Sequence, residues 1–421
     1  MSYKYFDTRE CRLKNGLRVV SIKKETGLFS LNFGVKVGSA YENNEERGIA
    51  HFIEHMLFKG TLKRNNEELN RELEYLGGSY NAYTDYTCTV FTITALKDEI
   101  EQAIELLADM AINSNFDEAE ITKEKGVVIS EFDASEDDLE GYSFKMVNKI
   151  AFSKSPLKYD IIGTKESIKS ISRHKIEDFY KKFYVPNNCC ITIVSSLEHN
   201  QVISIIDKYF AKWQQENLQP IFILNEKNKH VLKVNYRSNI EQSTITYLYT
   251  FYDLKKEEEL ALKILNHRLG ESTNSILFRE LREKRGLAYD VYTHLDISDN
   301  VRTLYIFTAV KDKNVEDSIK IIDAAIRDLK INRQGIDEEI MLLMKKVLKT
   351  EIEAMMENSE DFGEYVLQQC LENEDIYSFE KDLEAMDKIT VEQIYDVAVK
   401  VLEKPSVHIL KQKNRGEDYE K

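Results

Sequence analysis

Short runs of β-branched and aromatic residues alternate along the chain with longer stretches in which apolar residues recur every three or four positions. The first pattern predicts strands at 17–22, 29–37, 88–95 and 190–194, where Val, Ile, Phe and Thr concentrate. The second predicts amphipathic helices at 48–58, 66–76, 98–112 and 117–132. Strands interleaved with long helices fit an α+β class in which helices pack on largely antiparallel sheets.

The pattern returns in the second half. Arg71-Glu72-Leu73 leads to TVFTITALKDEIEQAIELLADM, which carries Thr94, Ala95, Lys97 and Asp98. Arg279-Glu280-Leu281 leads to TLYIFTAVKDKNVEDSIKIIDAAI, which carries Thr308, Ala309, Lys311 and Asp312 in the corresponding places. Each run reads as a strand, a charged turn and an amphipathic helix, with Thr94 and Thr308 standing 214 positions apart. Two duplicated α/β sandwich domains are therefore expected: 1–213, a polar linker at 214–229, and 230–421. A chain of 421 residues also exceeds what one core usually fills. The residues after Lys411, QKNRGEDYEK, lack any apolar pattern and are expected to be disordered.

Composition narrows the function classes. An apolar share of 42% with 31% charged residues describes a globular chain with substantial cores. A net charge of −15 argues against nucleic acid as a partner, because phosphate binding needs concentrated Lys and Arg. No run approaches the roughly 18 apolar residues of a membrane span, and the N-terminal stretch lacks an apolar secretory core. A cytoplasmic protein without membrane association is expected. The five cysteines show no CxxC spacing and read as structural thiols.

Candidate chemistry begins in GIAHFIEHMLFKGT. At about 100° per residue, Glu54 and His55 fall about 60° and 40° to either side of His51 on one helical face. Two imidazoles one turn apart can grip a metal ion while the adjacent carboxylate holds a water, the inverse of the HExxH order. Alone, the pattern equally fits histidines on an ordinary helix surface. A catalytic zinc site needs a third protein ligand. The run DEAEITKEKGVVISEFD supplies Glu124 and Glu131, seven residues apart and so near one face, with Glu131 standing 76 positions beyond His55. Glu118 and Glu120 read as a solvated face.

HxxEH, the later Glu and the KEKGVVISEFD context together resemble the M16 family of metallopeptidases, which includes pitrilysin, insulin-degrading enzyme and mitochondrial processing peptidase. Further matching pieces are VGSAYENNEERGIAHFIEHMLFKGT, GGSYNAYT, IIGTKESI and SILFRELREKRGLAYDVYTH, and the length is similar to that of the roughly 400-residue subfamily B. The resemblance implies that His51, His55 and Glu131 bind Zn2+, that Glu54 activates water, and that Glu124 orients a ligand. It further implies that Arg282 and Tyr289 hold the substrate backbone and the developing oxyanion. Asn81 and Ala82 match the edge strand to which peptide substrates add. A working unit of two facing chains is implied, either a homodimer or a heterodimer with a homologous chain.

The second half departs from the motif. Its aligned segment, ELALKILNHRLGES, has no HxxEH, so one metal site is expected, and Glu351, 220 positions after Glu131, reads as structural. The glycine-rich loop of the family's noncatalytic processing subunit is also missing at GESTNSILF. The resemblance thus favours a zinc endopeptidase acting on short or unfolded peptides. A peptide-maturation protease paired with an inactive homologue, and a noncatalytic scaffold subunit, are the competing readings.

Overall fold

The computed structural model describes residues 6–219, 221–298 and 300–413. Contacts gather them into two compact units, each built on one sheet. The first comprises the described residues of Met1–Asp133, Asp160–Phe222 and Glu353–Ser378; the second comprises those of Ala134–Tyr159, Ile223–Ile352 and Phe379–Lys421.

Six strands form the first sheet: β1 (Asp7–Arg12), β2 (Arg18–Lys23), β3 (Leu28–Val35), β4 (Ser79–Thr84), β5 (Thr89–Leu96) and β6 (Cys189–Ser195). Their order is β1-β2-β6-β3-β5-β4, and only β2 and β6 run parallel. Side chains alternate across a strand. On β3, Phe29, Leu31, Phe33 and Val35 therefore join one apolar core, where the helices Ile49–Leu57, Ile100–Asn113, Arg173–Phe183 and His199–Phe210 bury their apolar stripes. Ser30, Asn32 and Gly34 take the other side, which the helix Ser359–Glu372 covers. Burial on both faces explains why β3 and β6 are almost wholly buried.

The second sheet contains β7 (Val231–Arg237), β8 (Ser243–Thr250), β9 (Ala288–Ser298), β10 (Val301–Val310) and β11 (Ser406–Gln412) in the order β7-β11-β8-β10-β9. Here β7 and β11 form the one parallel pair. Without β1, the first sheet has the same order and polarity, so the sequence repeat corresponds to repeated topology. Thr94 in β5 and Thr308 in β10 occupy matching strands, each followed by a single 3-10 turn and then a long helix, Ile100–Asn113 or Val315–Arg327. Both units are mixed α/β, with helices packed on largely antiparallel sheets.

Connectivity differs from two contiguous halves. The helix Leu139–Ala151 belongs to the second unit, where it packs on β8 and β11, whereas Ser359–Glu372 belongs to the first. The two helices follow equivalent long helices, Glu118–Asp137 and Glu338–Glu357, so the repeats exchange equivalent elements. The described part of 214–229 forms no helix or strand. The helix expected at 117–132 runs on to Asp137, because no Gly or Pro stops it before Asp138 caps the next helix. β11 reaches Gln412, inside the tail expected to be disordered, and residues 414–421 of that tail lie outside the described residues.

Candidate metal centre

The helix Ile49–Leu57 starts at Gly48, whose φ of 87° favours glycine and where a Cβ would lie 2.3 Å from the Ile162 carbonyl oxygen. No side chain at Gly48 can cap the helix, and Glu42 does so from a distance. Its buried carboxyl oxygens accept the backbone N–H groups of Gly48 and Ala50, each at 2.9 Å. Ile49, Ala50, Phe52, Ile53, Met56 and Leu57 turn into the core. His51, Glu54 and His55 are left to share the remaining face.

On the neighbouring helix Glu118–Asp137, Ile121 and Val128 are buried and Glu131 is partly exposed. Glu131 Oε1 lies 3.6 Å from His51 Nε2, and Oε2 lies 3.5 Å from His55 Nε2. Candidate ligand atoms of all three residues fall within 4.8 Å of one another, the one such group among the described residues. These separations are too long for hydrogen bonds. They match two ligands on one tetrahedral zinc, which at about 2.1 Å bond lengths stand about 3.4 Å apart. The donor set of two imidazoles and a carboxylate is the three-protein-ligand set of a catalytic zinc ion.

Protonation differs between the two imidazoles. Burial, with help from the neighbouring His55, lowers the His51 pKa to about 4, so its ring is neutral at physiological pH. Burial disfavours charge on His55 as well, but the hydrogen bond to Glu124 and the surrounding carboxylates outweigh it and raise its pKa. His55 Nδ1 lies 2.8 Å from Glu124 Oε1. A carboxylate only accepts, so Nδ1–H is the donor and the Nε2 lone pair is left toward Glu131. Glu124 is buried, yet His55 and Lys59, whose Nζ is 2.8 Å from Oε2, hold its pKa below the ordinary value. Burial raises the Glu54 carboxyl above its ordinary pKa, opposed by a hydrogen bond from Thr84 Oγ1 at 2.6 Å.

The structure thus brings together His51, His55, Glu131, Glu124 and Glu54, all in the first unit. Asn81 and Ala82 lie in β4, an edge strand whose one sheet neighbour is β5, opposite Thr92 and Phe91. Arg282 and Tyr289 belong to the second unit. There Arg282 Nη1 donates to the Tyr289 carbonyl at 2.8 Å, Arg282 lies in a π-helical turn, and the Tyr289 side chain is exposed. Glu351 faces the single His267, with 3.7 Å between Oε1 and Nδ1. Glu42, Lys59 and Thr84 were absent from the site expected on sequence grounds.

Comparison with known proteins agrees with this geometry. The family model described as insulinase, peptidase family M16, matches residues 18–165, and the model of the M16 inactive domain matches 170–348. The chain belongs to the M16 peptidase family. It is accordingly a zinc-dependent peptidase of the M16 type, with the metal cluster inside the region matched by the first model. Among M16 relatives, an uncharacterised zinc protease of Bacillus subtilis is 28% identical over 348 residues, spanning 82% of this chain and 84% of the relative. The beta subunit of the Bos taurus mitochondrial-processing peptidase is 35% identical over 208 residues, 49% of this chain and 42% of that protein. The crystal structure of a protease from Helicobacter pylori shares the fold, with a TM-score of 0.89 at 23% identity over 96% of this chain and 99% of that one. Among the described residues no helix is long and apolar enough to cross a membrane.

Proposed function

We propose that this M16 peptidase, of the roughly 400-residue subfamily, is an endopeptidase that hydrolyses short or unfolded peptides, with Glu54 as general base. The observation that carries this reading is the His51, His55 and Glu131 cluster, spaced for one tetrahedral ion, with Glu54 on the same helix face. Zinc held there would supply Lewis-acid polarisation of a peptide carbonyl and acidify water. His51 would offer the Nε2 of a neutral ring, His55 its Nε2 once the ring gives up its second proton to make way for the metal, and Glu131 a carboxylate. Glu124, backed by Lys59, keeps the His55 proton on Nδ1. Glu54 takes the proton of the attacking water and returns it to the leaving amine. The raised Glu54 pKa suits a group that must both accept and release a proton.

Asn81 and Ala82 support recognition of an extended backbone, because the outer edge of β4 has no strand neighbour among the described residues. Arg282 and Tyr289 keep the roles that the family resemblance gives them, contact with the substrate backbone and with its developing negative charge. The working unit is proposed to contain a second chain, a copy of this one or a homologue, and to act in the cytoplasm. A scaffold role is disfavoured by the complete ligand set. Digestion of a random peptide pool by the purified protein, with and without chelator and with products read by mass spectrometry, tests the function. Chelator-sensitive internal cleavage is expected; an untouched pool would overturn the proposal.

A further inference from the structure

We infer that Thr84 is a positioning residue for the Glu54 carboxylate, an assignment that rests on the reading of Glu54 as general base. Thr84 Oγ1 lies 2.6 Å from Glu54 Oε2, and among the described residues it is the one hydrogen-bond partner of that carboxylate. A hydroxyl has a single proton to give. The neighbouring Thr89 hydroxyl, 3.5 Å from Thr84 Oγ1, donates its own proton to the Val37 carbonyl at 2.8 Å. Thr89 could thus only accept from Thr84, at the longer 3.5 Å, whereas the Glu54 carboxylate, which only accepts, lies at 2.6 Å and takes the Thr84 proton. Oε2 is tied, and Oε1 is left as the oxygen that takes a proton from water.

The tie matters because the terminal torsion of a glutamate is broad and roughly two-fold, so an unheld carboxylate samples many orientations. Thr84 can restrain it because its own backbone is fixed. Thr84 pairs with Thr89 in the β4–β5 ladder. Immediately before it, Tyr83 donates its hydroxyl to Glu364 Oε1 at 2.7 Å and accepts from Gln368 Nε2 at 2.8 Å. Successive residues of a strand point to opposite faces. Tyr83 thus fastens β4 to the helix Ser359–Glu372 on one face, while Thr84 reaches the metal helix on the other. The hydroxyl is delivered from an element anchored on both sides, the kind of support that holds a catalytic group within tenths of an ångström.

Three variants test the assignment with a quenched fluorogenic, unstructured peptide that the wild-type enzyme cleaves. Thr84→Val removes the hydroxyl and keeps the shape; it is expected to lower kcat about 10- to 100-fold while KM stays within about twofold. Zinc content should remain one per chain and the circular dichroism spectrum unchanged. Thr84→Ser keeps the donor and should retain kcat within about threefold of wild type. Thr84→Ala provides a second hydroxyl-free protein if valine perturbs folding, with the same expected loss. Wild-type kcat in the hydroxyl-free variants, a loss confined to KM, or an equal loss in Thr84→Ser would overturn the positioning role. Glu54→Gln measured alongside separates the two levels. If it keeps wild-type turnover, the base assignment is what fails; if it is inactive while Thr84→Val is not, Thr84 alone is wrong.

Discussion

At the scale of single residues, helical spacing did the first work. His51, Glu54 and His55 are close in sequence, so their shared face followed from 3.6 residues per turn alone. The need for a third ligand pointed to Glu124 and Glu131 together, but the choice of Glu131 as ligand came from the family pattern, since the distance it closes, 3.5–3.6 Å to two imidazoles, depends on how two helices pack. Lys59 escaped notice because it lies past the end of the helix at Leu57. For Thr84 a signal was available. Strand alternation places Tyr80, Ala82 and Thr84 on one face, and Tyr80 packs beside Phe58 from the end of the metal helix. Glu42 gave none, because capping from six residues upstream requires a loop of unknown path. Its burial has a measurable consequence. Loss of hydration pushes the Glu42 pKa from 4.5 up to about 8, against the pull of the Gly48 and Ala50 N–H groups. The folded state then holds this proton more tightly than the unfolded chain between those two values. Its contribution to stability must fall as pH rises through that window, by on the order of 1.4 kcal/mol per pH unit, and level off above it. Urea midpoints of wild type and Glu42→Gln should therefore diverge between about pH 5 and about pH 8, with the wild type losing more. Parallel profiles would contradict the shift.

At the scale of elements, strand and helix positions were mostly legible, because the sheets demand two-residue periodicity and the helices a single apolar stripe. The destination of each helix was not. Leu139–Ala151 and Ser359–Glu372 carry ordinary amphipathic patterns, and nothing in such a pattern says which of two similar sheets it will cover. The contact itself has specific requirements. Gly363 on the helix and Gly34 on β3 allow close approach: a Cβ at Gly363 would lie 2.4 Å from Asn32 Nδ2, and one at Gly34 would lie 2.8 Å from Leu371 Cδ1. Thr192 Oγ1 also donates to the Gly363 carbonyl at 2.7 Å. Gly363→Ala would gain about 1 kcal/mol of helix propensity but must displace a buried amide, at a cost of about 1–3 kcal/mol. A net loss of up to about 2 kcal/mol is expected from denaturant unfolding. A stabilised variant would show that Asn32 yields freely and that the approach is not tight.

At the scale of the whole chain, the two sheets share order and polarity apart from the extra strand β1, and the first unit carries the triad of candidate ligands. The second keeps a lone His267 with Glu271 and Glu351 around it. If substrates add to the edge of β4, they must offer several residues of extended backbone, which folded domains rarely expose. One peptide sequence should therefore be cut when free and spared when embedded in a stable folded host. Comparable rates in the two settings would argue against recognition by strand addition.

In the proposed reaction of this M16 peptidase the helix Ile49–Leu57 divides its work: His51 and His55 would bind the metal and Glu54 would accept a proton. The most direct measurement is turnover of a cleavable peptide by Glu54→Gln whose zinc content has been determined on the same preparation. One zinc per chain is expected, as in wild type, with turnover lowered by about 10²- to 10⁴-fold or more, because an amide keeps the shape but cannot take the proton. A zinc-loaded Glu54→Gln with wild-type turnover, or one that has lost its zinc as His51→Ala should, would contradict it.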